Sequence, residues 1–301
     1  MARAGLVQRA AAFPPLELPT HRVGVALRSI FRFFAADARH DQILALGMLL
    51  AVNVSWLDFG ARPLPSLGAI SAALLTQAIC SRLWRLPRLD LRSPLITGLS
   101  LCLLLRSDEL WMPAAAAALA ILSKFVLRFE GKHIWNPAGF ALVILLFGTD
   151  HVWVSPGQWG AALWFASLLV LLAILVLQAA RRSDIAIFFL GSYAALLFAR
   201  CGWLGDPWAI PLHQLQSGSL LLFSFFMISD PKTSPDSRLG RFLFALGVAL
   251  LAYWLAFSWQ LRPAPFVALI TLSPIVPLID RLLPAERFQW RKLFNPAGAN
   301  I

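Results

Sequence analysis

Apolar residues gather into ten runs separated by short polar or basic stretches. The runs fall near 42–58, 66–84, 93–106, 110–127, 134–148, 160–180, 184–200, 217–229, 240–258 and 266–283. Most approach the roughly 20 residues that a membrane-spanning helix needs. Three are short: 93–106, 134–148 and 217–229. The pattern predicts an all-α polytopic membrane protein of about ten transmembrane helices. Ten divides into five plus five, with residues 42–148 as a first five-helix repeat and 149–283 as a second. An odd number of spans per half makes the second half enter the membrane inverted. The short third and eighth spans are each third in their half. Paired short segments at matching positions point to a binding site at the repeat interface. Residues 1–41 read as a cytoplasmic basic arm and 284–301 as a cytoplasmic tail.

Composition removes the soluble alternative. Hydrophobic residues make up 59% and charged residues 14% of the 301, against about 25% charged in soluble domains. The net charge of +11 is explained by topology, not by nucleic acid. With the N-terminus cytoplasmic, only Arg62, Arg106, Arg200 and Arg262 of the 26 Lys and Arg fall on the far side. That asymmetry is the positive-inside rule, and it places both termini in the cytoplasm. The arm carries six arginines without the early apolar core of a signal peptide. An interfacial helix is expected near Val23–Phe34. Cys80, Cys102 and Cys201 lie far apart in apolar surroundings and read as buried small hydrophobes. Neither a metal site nor a catalytic constellation is expected; the five histidines fall in arms or loops.

The candidate site is where helices break. Phe225-Phe226-Met227-Ile228-Ser229-Asp230-Pro231-Lys232-Thr233-Ser234-Pro235 ends a short apolar run in a polar, proline-fenced turn. Pro231 has no N–H and disfavours helix at Asp230. Such breaks occur in membranes only where they line a cavity or are buried in protein. Ser229, Asp230, Pro231, Thr233 and Ser234 are therefore the leading binding residues, with Ser107 and Asp108, after the third span, as their repeat-related counterpart. Asp236 is taken as an exposed loop neighbour. Asp230 and Asp280 are expected to be solvated or paired with Lys232 or Arg281. Asn136-Pro137-Ala138-Gly139, repeated at 295–298, reads as a helix cap with Pro137 at the first helical position. The basic Gly131-Lys132-His133 just before it has two readings: a phosphate-binding stretch at that helix N-terminus, with Lys132 as its cation, or a plain cap with interfacial charges.

These residues resemble a known family. The turn from Phe226 to Pro235 with Gly240-Arg241, the entry Lys132-His133-Ile134-Trp135-Asn136-Pro137-Ala138, and the close Pro277-Leu278-Ile279-Asp280-Arg281 carry the likeness. They are similar to stretches of the RnfD and NqrB membrane proteins, which belong to the Rnf electron-transport complex and to the sodium-translocating NADH:quinone oxidoreductase. The compact chain is most like the enediyne-cluster-associated members of the UnbU type. The resemblance implies inverted five-helix repeats related to urea transporters, a bacterial cytoplasmic (inner) membrane location, flavin, and partner subunits of a redox complex. The family's redox members attach FMN through threonine in Ser-Gly-Ala-Thr. This chain lacks that motif, and Ser217-Gly218-Ser219-Leu220 has no acceptor threonine. Noncovalent FMN or riboflavin is the form left.

Three readings follow. The first is a flavin-binding electron-transfer subunit, in which the flavin carries the chemistry. The second is a transporter or channel for a small neutral or flavin-like solute, using Asn53, Thr76, Gln77, Thr97, Ser100, Ser219 and Ser224. The third is a ligand-free membrane scaffold for a neighbouring redox enzyme.

Overall fold

The computed structural model describes residues 37–57, 61–155 and 183–288. The predicted run 160–180, the second Asn-Pro-Ala-Gly and the expected arm helix lie outside the described residues.

The described helices are α1 (Ala38–Val52, continued by a π turn over Asn53–Leu57), α2 (Pro63–Leu83), α3 (Arg92–Leu104), α4 (Met112–Val126), α5 (Pro137–Gly148), α6 (Ser183–Leu204), α7 (Ala209–Leu215), α8 (Gly218–Leu222, continued by a π turn over Phe223–Met227), α9 (Arg238–Ser258), α10 (Ala264–Leu272) and α11 (Val276–Leu282). A 3₁₀ turn over Ser273–Ile275 joins the last two into one span. Four stretches are long and apolar enough to cross a membrane: Pro63–Leu83, Ser183–Leu204, Arg238–Ser258 and Ala264–Leu282. Helices α3, α4, α5 and the α8 stretch are apolar but shorter.

Small residues turn inward and large ones outward. On α2, Ser66, Ala69, Ala73, Gln77 and Cys80 are buried, while Leu64, Leu67, Leu75 and Ile79 are exposed. The buried set recurs every three or four residues, so it forms one stripe. It packs on α4, whose own buried face carries Ala116, Ala117 and Ala120. Small residues let helix backbones approach, which is how packing is gained where lipid removes the hydrophobic drive between helices. Gly98 of α3 shows the same need: a Cβ there would lie 3.2 Å from the Ile70 Cα of α2. Cys80, Cys102 and Cys201 are buried and unbridged, as the sequence indicates.

The short helices end by different means. α3 gives way at Leu105 to a strand, β1 (Leu105–Ser107), which pairs antiparallel with β4 (Val152–Val154) after α5. The buried Arg106 Nη1 donates to the carbonyls of Cys102 (2.8 Å) and Leu105 (2.9 Å). A cation thus satisfies acceptors that the helix end leaves open. The α8 stretch loosens into its π turn, and Asp230 N–H closes on the Met227 carbonyl at 3.2 Å before Pro231 stops the helix. A second strand pair, β2 (Arg128–Phe129) with β3 (Lys132–His133), forms the tight link between α4 and α5. These two ribbons and α7 are additions to the all-helical expectation. Each is only two to seven residues long, too short for periodicity to announce.

Candidate functional site

One cavity of about 400 Å³ collects the breaks. The first nine residues of α3 supply Ser93, Ile96, Thr97 and Ser100, and the end of the α8 stretch with the turn after it supplies Phe225, Phe226, Ser229, Asp230, Pro231 and Lys232. The start of α5 contributes Asn136 and Pro137, the α4–β2 corner Lys124, Phe125 and Arg128, and β3 His133. Gln77 reaches it from α2 and Arg39 from α1.

Local chemistry fixes this wall. Asn136 caps α5: its side-chain oxygen accepts from Gly139 N–H at 3.1 Å, with Pro137 in the first turn. That leaves the Asn136 amide to reach Asp230 Oδ2 at 3.4 Å. Asp230 Oδ1 in turn accepts the Lys232 backbone N–H at 3.0 Å, and the Asp230 carbonyl accepts from Thr233 and Ser234 N–H. Asp230 is thus the hub of the turn. Among the described residues it engages the backbone N–H of Lys232, and the pairing with the Lys232 ammonium expected from the sequence is not made there. Ser229 Oγ donates back to the Phe225 carbonyl and Thr97 Oγ1 to the Ser93 carbonyl, so those hydroxyls serve their own helices first. Lys124 is buried, and its ammonium donates to Ser93 Oγ at 2.8 Å.

Behind Arg39 stands a closed ring of charge. Arg39 bonds Asp37 (2.7 Å) and Asp90 (2.5 Å), and Arg92 bonds the same two carboxylates at 2.7 and 3.0 Å. Burial pushes the Asp37 and Asp90 carboxyls up, but the arginine hydrogen bonds and charges outweigh it and hold both below the usual range. His133 goes the other way. Burial, helped by the charges of Lys124, Arg128 and Lys232, pushes it down to about 3, so it is neutral.

Two buried polar atoms that line this cavity have no hydrogen-bond partner among the described residues. Gln77 is 7% exposed; its Nε2 donates to Ser81 Oγ at 3.2 Å, while its Oε1 bonds nothing among the described residues. His133 Nδ1 is likewise unpartnered. Buried polar atoms are rarely left unpaired, and both residues line this cavity. At its deep end Ser100 and Phe226 adjoin Leu46, Leu103, Leu104, Leu222 and Met227, which close it with no room for water.

The sequence-predicted residues divide four ways. Ser229, Asp230, Pro231 and Asn136 line the cavity together. Thr233 and Ser234 are buried behind the turn. Ser107 and Asp108 stand beyond the other end of α3, where Asp108 bonds His151 Nδ1 at 3.1 Å and, by that bond, raises the imidazole's proton affinity. Lys132 lines an adjoining cavity of about 290 Å³. There its ammonium is held by Asp236 and by Asp280 at 2.8 Å. Asp236 is not the exposed neighbour the sequence suggested: it is 9% exposed and its backbone N–H donates to Asp280 Oδ1 at 2.8 Å. Asp280 therefore pairs with Lys132, not with Arg281, which binds Glu130. Arg39, Lys124 and Arg128 read in sequence only as loop groups and topology signals, whereas His133, read there with Lys132 as a phosphate-binding stretch, lines the main cavity.

Residues 149–289 match the model of the NQR2, RnfD, RnfE family. Proteins named as the D subunit of an ion-translocating oxidoreductase complex are similar over parts of the chain. The one from Cronobacter sakazakii is 33% identical over 153 residues, 50% of this chain and 41% of that protein. The one from Escherichia coli is 37% identical over 139 residues, 45% and 36% respectively. The one from Stutzerimonas stutzeri is 44% identical over 72 residues, 24% and 20%. The chain thus spans less than half the length of these relatives in each match. The family read from the Asp-Pro turn and the Asn-Pro cap is the family the comparison finds.

Proposed function

We propose that the chain is an integral membrane component of an electron-transfer complex, and that its cavity holds a flavin noncovalently. The observation that carries this is the pair of buried polar atoms without a partner among the described residues, Gln77 Oε1 and His133 Nδ1, in a cavity also lined by Phe125, Phe225 and Phe226. Ligand sites are mostly apolar clefts of about 300–1,000 Å³ with a few placed polar groups. An isoalloxazine matches that lining: a flat aromatic body, and a ring N–H that the Gln77 oxygen can accept. Bound there, a flavin would accept and pass on electrons. The chain's own residues would exclude water, through the leucine plug, and orient the ring, through Gln77, His133 and the Asp230–Asn136 pair. Ser217-Gly218-Ser219-Leu220, the nearest string to the family's flavin-attachment motif, begins α8 and lies at its far end from this lining, which supports noncovalent binding.

The proposed architecture is ten spans in two inverted repeats. α2 packs on α4 as α6 packs on α9, and α4 meets α5 as α9 meets α10. These are the second–fourth and fourth–fifth spans of each half. The segment after the third span pairs with that after the fifth. Asp236, after the eighth, is bonded to Asp280 at the close of the tenth. The basic residues at the cavity mouth support a cytoplasmic mouth by the positive-inside rule. The apolar plug weighs against a continuous solute path.

The test is an absorption spectrum of the detergent-purified protein, wild type and Gln77→Leu, each supplied with flavin and then acid-precipitated. Flavin bands that move to the supernatant, and that Gln77→Leu diminishes, are expected. Bands retained in the pellet mean covalent attachment. A colourless wild-type protein sinks the flavin reading.

A further inference from the structure

From Arg82 at the end of α2 to Arg92 at the start of α3, the chain interleaves arginine with large apolar residues. Arg82, Arg85 and Arg88 are exposed. Leu83, Trp84, Leu89 and Leu91 are exposed too, each by 45% to 70%. Among the described residues none of these three arginines is in ion-pair reach of a carboxylate, since Asp90, the one acid of the stretch, is taken by Arg39 and Arg92. Exposed cations elsewhere do find acids: Arg281 and Arg287 share Glu130, and Arg200 meets Asp206.

The backbone holds this stretch at both ends. Trp84 N–H closes on the Cys80 carbonyl and Leu86 N–H on the Ser81 carbonyl, both at 2.9 Å, and Arg85 N–H closes on the Arg82 carbonyl at 3.1 Å. Helices that end this way turn the residue after the cap left-handed, and glycine usually stands there. Here it is Arg85, with φ +50°. A Cβ makes that conformation costly, and such strain persists only where the surroundings hold it in place. What an arginine offers there and a glycine does not is a guanidinium aimed from a fixed frame. At the other end Asp90 accepts the Arg92 N–H at 3.1 Å and joins the charged ring with Asp37 and Arg39.

Position and chemistry name the partner. α2 is long and apolar enough to cross a membrane. The loop leaves its last turn and returns eight residues later into the apolar α3, so it stays at the level where a span meets the headgroups. At that level leucine and tryptophan reach the acyl boundary, and a guanidinium fork matches a phosphate. Cations unmatched within the protein favour lipids of net negative charge.

We propose that the loop from Arg82 to Leu91 is a docking surface for anionic lipid headgroups. Leu83, Trp84, Leu89 and Leu91 sit at the acyl boundary, and Arg82, Arg85 and Arg88 bind the phosphates. This rests on α2 crossing the membrane and not on the flavin reading. Leu86 and Asp90 of the same loop line the main cavity, so the bound lipid borders its mouth.

Spin labelling in vesicles tests it. The full chain, with Cys80, Cys102 and Cys201 replaced by serine and a nitroxide on Leu89→Cys, is reconstituted in phosphatidylcholine alone or mixed with phosphatidylglycerol. Oxygen, which concentrates in lipid, and a water-soluble nickel chelate report the depth of the label. Phosphatidylglycerol should raise the ratio of oxygen to nickel accessibility severalfold at low salt, and the rise should shrink as salt screens the charges. Arg82→Gln, Arg85→Gln and Arg88→Gln together should abolish the rise. Arg85→Gly suits the left-handed position, so it keeps the fold, and it should diminish the rise. A label equally deep in both vesicles overturns the headgroup claim, because the apolar side chains alone then hold the loop. A rise that survives the triple variant overturns the assignment to these arginines. A label that stays in water in both vesicles overturns the proposal and leaves the loop to a soluble partner.

Discussion

His133 shows most directly how a single side chain registers its surroundings. It lies between Lys124, Arg128 and Lys232 in a buried corner, and its proton affinity falls from the ordinary 6.5 to about 3. A histidine that refuses a proton in the folded state takes one up near pH 6.5 when unfolded. The unfolded state therefore binds more protons between those two values, and folding stability rises with pH across that window. In the acid direction, stability should fall steadily from pH 6.5 downward. The carboxyls held low by Arg39 and Arg92 add their own loss only below about pH 4, where an unfolded aspartate protonates. Burial pushes the Asp41 carboxyl up, which opposes this trend at the lower end of the range, so the difference between wild type and a His133 variant from about pH 6.5 to about pH 4 is what reports the imidazole. Thermal unfolding of the detergent-solubilised protein should show a declining midpoint there, flattened in His133→Gln. An unchanged slope in the variant would mean that His133 is protonated in the fold. Gln77 tells the same story without charge: a buried amide oxygen facing a cavity is an acceptor waiting for a donor.

Between elements, the connection that matters is the clamp on the Asp-Pro turn. Lys132 from β3, Asp236 from the turn and Asp280 from α11 converge, joining both halves of the chain at one point. Gly240 lets this happen: a Cβ there would lie 2.7 Å from Ile279 Cγ2 and 2.6 Å from Ser237 Oγ. Removing one partner of a buried charge pair commonly costs about 3–5 kcal/mol, and Asp236 is such a partner. Asp236→Ala should therefore lower the thermal midpoint sharply. Asp230→Ala should instead weaken flavin retention, because it unties Asn136 and Lys232 at the cavity wall while leaving the clamp in place. Thermal melts and flavin titrations of the two variants separate the roles. A loss of binding confined to Asp236→Ala would reverse the assignment. The sequence alone had these two aspartates partly exchanged, with Asp236 as the exposed control. The reason is physical. A break in an apolar run is visible to anyone counting residues, so the turn was legible. Which carboxylate a lysine 104 positions away will find depends on how three segments meet. The same limit hid Lys124 and Arg128, whose charges in sequence serve topology equally well.

For the whole molecule, the legible part is the alternation of apolar runs and basic loops, because lipid imposes it on every helix in the same way. The cavity is not legible in that pattern, since its wall is assembled from α1, α2, α3, α4, α5 and α8. What the two levels share is a side. The groups at the mouth, Arg39, Arg128 and Lys232, belong to the loops that the charge bias assigns to the cytoplasm. Arg106, Asp108 and His151, at the opposite end of α3, fall in the loops assigned to the far side. Sidedness can thus be tested with one reporter at each end. Cys80, Cys102 and Cys201 are buried, so serine at all three gives a background free of native thiols. Glu109→Cys and Arg88→Cys then place a thiol in the exposed loops after α3 and after α2. In intact cells a membrane-impermeant maleimide should label Glu109→Cys, and Arg88→Cys only after permeabilisation. The reverse result would turn the molecule over and put the cavity on the outer face. Labelling of both in intact cells would place the two ends of α3 on one side and break the five-plus-five arrangement. The labelling pattern thus decides from which side of the membrane a ligand can reach the cavity, and so bears on the proposed function as much as on the fold.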